Sequence, residues 1–180
     1  SVTYTTGEVT VVSAAGENAD NDDTAKQPDA DIGHHLAEGD IVRTGTDSRA
    51  DIRFSDGSAV SLAENTAVEL TADRVAETRL HVTNGTVYTQ FQRRFLKERF
   101  VLASEHATAE VRGTKLIFAV DNDGTEISVL SGMVVASHPD FPQKQLTLPP
   151  QTRVSLQFAP APDSPQPLPD AERRKLENRL

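Results

Sequence analysis

The chain has 180 residues and a net charge of −9; 37% of it is hydrophobic, only 5% aromatic, and it contains neither Cys nor Trp. That length supports one well-buried core with appendages. The acidic balance argues against a nucleic-acid footprint, which needs a basic face, and against adsorption to anionic lipid, while the lack of cysteine excludes disulfides, thiol catalysis and Cys-type zinc sites. No apolar run approaches the roughly 20 residues of a membrane-spanning helix. The start at Ser1 leads us to expect a processed or excised chain.

The elements follow in order. Gly7-Glu8-Val9-Thr10-Val11-Val12 reads as a first strand. Ala14 to Asp31 is dense in Asn, Asp and Gly and reads as a solvated loop. Its Asp20-Asn21-Asp22-Asp23 cluster suggests calcium, but the stepped ligand spacing and central glycine of an EF-hand loop are missing. From Leu36 to Leu156 apolar residues recur with period two. Ala50, Ile52 and Phe54 alternate with Asp51, Arg53 and Ser55; Val60 and Leu62, Val68 and Leu70, Leu80 and Val82, and Ile127 and Val129 follow. Asp56-Gly57, Asn84-Gly85, Asp121 to Gly124 and Ser131-Gly132 read as turns between short strands. Around Gly113, Ala109 and Val111 share one face with Leu116, Phe118 and Val120. The odd step between 111 and 116 predicts a bulge or kink at Gly113-Thr114. Gln90 to Phe100 breaks the pattern and reads as a short helix or a basic loop. Ala159 to Pro169 reads as a proline-rich linker, and Asp170 caps a terminal helix over 170–180.

The expected fold is therefore all-β: a stack of short antiparallel strands, solenoid-like or sandwich-like, with one C-terminal helix. The expected organisation is a β domain over 1–158, a linker over 159–169 and the helix.

Four motifs in series carry a resemblance. Leu36-x-x-Gly39-Asp40-x-Val42-x-Thr44-Gly45, Phe54-x-Asp56-Gly57-Ser58, Asn84-Gly85-x-Val87 and Val111-Arg112-Gly113-Thr114 together resemble the FecR domain family, best over 36–120. The resemblance implies an all-β extracytoplasmic domain. In the best-known members it is the periplasmic part of an inner-membrane regulator that receives a receptor's signal and controls a sigma factor. Those members carry a cytoplasmic helical domain and one membrane span before it, and a mixed α/β subdomain after it. Here a linker and one helix stand in the latter place, so a stand-alone periplasmic or exported member is the expectation.

Two sets of residues stand out. Gly39, Asp40, Thr44, Gly45, Asp56, Gly57, Gly85, Arg112, Gly113 and Thr114 read as scaffold. Arg112, between Val111 and Gly113 in a strand, is expected to be partly buried against a carboxylate, Asp40 or Asp56, or else to clamp an anionic ligand. Arg93, Arg94, Lys97 and Arg99 form either a solvated basic face over nearby phenylalanines or a docking patch for an acidic partner. The five histidines have no metal-ligand spacing, and no nucleophile framework is present. No enzyme, metal or cofactor is expected. The expected role is a protein-interaction or signal-receiving module of the bacterial envelope, with a protein partner and no nucleic acid. Binding of envelope polysaccharide or peptidoglycan is the runner-up, weakened by the scarcity of aromatic platforms.

Overall fold

Alternation of apolar and polar side chains sets strands such as 9–12, 49–53, 59–62 and 152–156, and long strands rather than turns join the layers. A computed structural model of the chain describes residues 1–14, 32–54, 57–74, 77–91, 99–157 and 164–178. The Asp20 to Asp23 cluster, Asp56 and most of the Gln90 to Phe100 segment lie outside these residues. The strands are β1 (Val2–Thr6), β2 (Val9–Val12), β3 (Ile41–Thr44), β4 (Arg49–Arg53), β5 (Ala59–Leu62), β6 (Ala67–Arg74), β7 (Glu77–Gln90), β8 (Arg99–Ala103), β9 (Thr108–Val120), β10 (Thr125–His138), β11 (Phe141–Leu148), β12 (Thr152–Leu156) and β13 (Gln166–Pro167). One helix, α1 (Asp170–Glu177), follows.

The pairing follows two paths. One layer runs β2–β3–β6, the first half of β7, β8, the first half of β9, the second half of β10, and β11. The other runs β1–β4–β5, the second half of β7, the second half of β9, the first half of β10, β12 and β13. Their inward side chains form one core. Val42, Leu80, Leu102 and Val134 come from the first layer, and Ile52, Leu62, Phe118 and Ile127 from the second. Phe100 joins it, stacked at 4.0 Å from Phe91 and edge-on to Phe54 at 5.3 Å between ring centroids.

The all-β expectation holds, and of its two forms the sandwich-like one describes the pairing. Pairing is antiparallel except between β7 and β8, which run parallel. The strands are not uniformly short: β7 and β10 each have 14 residues and β9 has 13.

These three belong to both layers. Each changes layer near a glycine of positive φ: Gly85 at 94°, Gly113 at 62° and Gly132 at 82°. Asn84-Gly85 and Ser131-Gly132 are therefore bends inside single strands, not turns between them. The physical reason is crowding at the crossing. A Cβ on Gly132 would lie 2.5 Å from the Gly113 carbonyl oxygen and 2.9 Å from the Thr114 Cα. One on Gly85 would lie 2.5 Å from the Thr66 Cα. Only glycine meets both the backbone angle and the space. The phase flip at Gly113 is present: Ala109, Val111, Leu116 and Phe118 are all buried, and the opposite strand shifts register between Val129 and Met133.

Candidate functional site

The motif residues whose contacts are described hold turns and strand crossings. The Gly39 amide donates to the Leu70 carbonyl at 2.8 Å, and the Leu70 amide donates to the Asp40 carbonyl at 3.0 Å. This fastens the start of β3 to β6. The Asp40 side chain is buried, and its Oδ2 accepts the Ala37 amide at 2.8 Å. A carboxylate three residues after the amide it accepts closes a tight local turn.

Thr44 and Gly45 anchor the next crossing. The Thr44 hydroxyl donates to the Ala63 carbonyl at 2.5 Å and accepts the Thr66 amide at 3.0 Å. The Thr66 hydroxyl in turn accepts the Thr86 amide at 3.0 Å, just past the Gly85 bend. The Gly45 amide donates to the Glu8 carbonyl, and Asn65, itself at φ 52°, donates its amide to the Gly45 carbonyl. Thr44, Gly45 and Gly85, scattered in sequence, thus meet through the 63–66 turn. Gly57 sits in a genuine hairpin turn, where its amide and the Ser58 carbonyl both bond Phe54.

Arg112-Gly113-Thr114 lies apart, at the β9–β10 crossing. The Arg112 backbone pairs with Met133, but its side chain lies outside the described part, as does Asp56. Of its expected carboxylate partners, Asp40 engages Ala37 through Oδ2, and its Oδ1 makes no hydrogen bond among the described residues.

Of the basic cluster, Arg93, Arg94 and Lys97 lie outside the described residues. Arg99 begins β8 and belongs to a ladder of charges across three strands. Its guanidinium reaches Glu110 of β9 at 2.8 Å and Glu77 of β7 at 3.7 Å, and Glu77 also holds Arg79 at 3.1 Å. Its charge is compensated within the sheet.

A shallow cleft of about 260 Å³ opens between Asp47, Ser48, Arg49, Leu62, Ala63, Glu64 and Tyr88. Several of its polar groups are engaged internally. The Ser48 hydroxyl accepts the Glu8 amide, Glu64 accepts the Asp47 amide, and Arg49 reaches Asp51 and Ser61. Among the described residues no three His, Asp or Glu side chains are grouped to hold a metal ion, and no helix is long and apolar enough to cross a membrane. His138 is buried and accepts the Asp140 amide through Nδ1 at 3.1 Å, closing the β10–β11 hairpin.

Two features have no sequence signal. Ser104 nucleates a buried polar node: its hydroxyl meets the Thr125 hydroxyl at 2.7 Å and accepts the amides of His106 and Ala107. The second is the pairing of Arg153 of β12 with Glu172 of α1 at 2.8 Å. Nineteen residues separate these two, so neither periodicity nor spacing joins them.

A two-layer β sandwich threaded by bent strands, with its motif residues spent on crossings and turns, defines a scaffold domain. Residues 40–135 match the FecR protein family, and the chain belongs to that family. Two crystal structures of a proposed anti-sigma factor from Parabacteroides distasonis ATCC 8503 share the fold, with TM-scores of 0.61 and 0.62 at 14% sequence identity. The match covers 71% of this chain and 59% of theirs, so this chain spans about three fifths of their length. No curated protein matches the chain at a significant level.

Proposed function

We propose that the chain is a non-enzymatic, signal-receiving or protein-binding module of the bacterial cell envelope, working outside the cytoplasm and acting by contact with a protein partner. Membership of the FecR family carries this reading. It is supported by the use of the motif residues Thr44, Gly45 and Gly85 in holding the crossing of two layers, which leaves recognition to surfaces and edges. In the cleft beside Tyr88, Ser48, Arg49 and Glu64 are engaged by neighbouring protein groups, which favours binding over chemistry. Arg93, Arg94 and Lys97 are the proposed contact for an acidic partner surface.

Capture from envelope extracts tests this. The wild-type chain is expected to retain a protein, and the triple reversal Arg93→Glu, Arg94→Glu, Lys97→Glu to lose it. Retention that survives the reversal rejects the basic patch. Recovery of glycan with no protein favours polysaccharide binding instead. Sigma-factor regulation is a second reading, favoured by the fold shared with the proposed anti-sigma factor. It requires that the captured protein be the signalling domain of a receptor.

A further inference from the structure

The second layer ends in an arrangement whose parts are unequal in strength. β12 is a full strand, paired along its length with β10 from Thr125↔Leu156 to Val129↔Thr152. Among the described residues, its outer edge pairs with Gln166 and Pro167 of β13 alone. Proline brings no amide to that ladder. From Val154 to Leu156 the outer edge pairs with no further strand among the described residues.

The rest of the covering segment is held at two points. Leu168 is buried, and its amide donates to the Gln151 carbonyl at 2.9 Å. Gln151 presents that carbonyl from the left-handed region, at φ 62°, while its own amide is tied to Val129. Four residues after Leu168, Glu172 meets Arg153, with both side chains substantially exposed at 46% and 30%. Exposed pairs of this kind contribute little. On the helix itself, Arg173 pairs with Asp170 and Glu177. Among the described residues α1 packs closely along none of the strands.

We propose that residues 164–178 are a releasable strap over the outer edge of β12, and that the bared edge accepts a segment of a partner protein that runs extended up to an aliphatic residue and then turns into a helix, which brings an acid four positions later back to Arg153. The seated strap shows what the edge accepts. An antiparallel extended segment pairs at Thr152 and Arg153, an aliphatic side chain fills the site of Leu168, and a carboxylate faces Arg153. Strand addition of this type takes affinity from the main chain and specificity from the flanking side chains. A sheet edge is covered when it would otherwise recruit chains indiscriminately. Release of the strap leaves the sandwich intact, because β12 keeps its partner β10. The partner half of this proposal rests on the protein-contact reading above; the strap half does not.

Hydrogen exchange on the full chain tests the strap. The Leu168 amide is expected to exchange at least about 10-fold faster than the amides of β9 and β10, and the amide at position 168 to lose protection altogether in the Glu172→Lys, Leu168→Ala double variant. Exchange of Leu168 at the rate of β9 and β10 overturns it. The edge is tested with a fluorescein-labelled peptide of residues 164–178, read by anisotropy. It is expected to bind the double variant at least about 10-fold more tightly than the wild-type chain, whose own strap competes. The same peptide carrying Leu168→Ala and Glu172→Lys is expected not to bind. Failure of the unaltered peptide to bind a variant whose strap is open by exchange overturns the edge. Glu172→Lys alone makes both measurements should the double variant not fold. Neither readout involves an envelope partner. A failed capture experiment beside a strap that opens and an edge that binds therefore counts against the protein-contact reading alone.

Discussion

At Gly132 a single methyl group decides whether two strands can cross. Its backbone sits at φ 82°, and an added Cβ would press on the Gly113 carbonyl and the Thr114 Cα, neither of which is the free end of a side chain. Gly132→Ala is expected to cost about 3 kcal/mol, from the left-handed strain and the overlap together. Gly33→Ala is the matched control: its φ is 96°, but nothing lies within 4 Å of the new Cβ. It should cost about 1 kcal/mol. Urea unfolding of the two variants separates angle from space, and equal losses would show that overlap contributes nothing. Thr44 makes a second case. Thr44→Val removes the acceptor of the buried Thr66 amide and the donor to Ala63. The expected loss is about 2 kcal/mol, most of it restored by Thr44→Ser. A valine variant as stable as the wild type would mean that the hydroxyl is not needed to hold the 63–66 turn.

Among the elements, those with strict alternation were legible from the sequence and those decided by distant contacts were not. β4, β5 and β9 follow from Ala50-Ile52, Val60-Leu62 and Leu116-Phe118, because an inward face selects every second residue. β1 offers only one buried apolar side chain, Val2, beside Thr3, Tyr4, Thr5 and Thr6. Its strand character comes from pairing with β4, which no local pattern records. Asn84-Gly85 and Ser131-Gly132 have the composition of hairpin turns, yet the same glycine freedom serves a bend in a continuous strand. What distinguishes the two uses is the crowding at Thr66 and Gly113, a tertiary fact. The charge ladder Arg79–Glu77–Arg99–Glu110 also belongs to this scale, since it exists only where β7, β8 and β9 lie side by side. Arg99 is 54% exposed, so Arg99→Ala should change stability by less than about 1 kcal/mol. A larger loss, measured by denaturant unfolding, would mean that β8 is held chiefly by charge and not by Phe100 and Leu102.

For the molecule as a whole, the family was legible from four motifs and the basic patch from its composition, while the strap over β12 was not. Motif residues such as Thr44 and Gly85 have fixed spacing because crossings demand it, whereas the strap's Leu168 and Glu172 meet β12 across a long stretch of chain. With β7, β9 and β10 shared by both layers, the sandwich should unfold in one transition. Far-ultraviolet dichroism and tyrosine fluorescence are expected to report the same midpoint and slope. Separate midpoints would show that the layers are independent. The shared strands also bear on how such a domain could pass on a signal. Two sheets joined only by loops can swing apart like the covers of a book, but these are stitched through their middle at Gly85, Gly113 and Gly132. A domain sewn in this way has no hinge of its own between layers. It passes a push from one side to the other as a stiff block, and what can yield is whatever hangs on its rim.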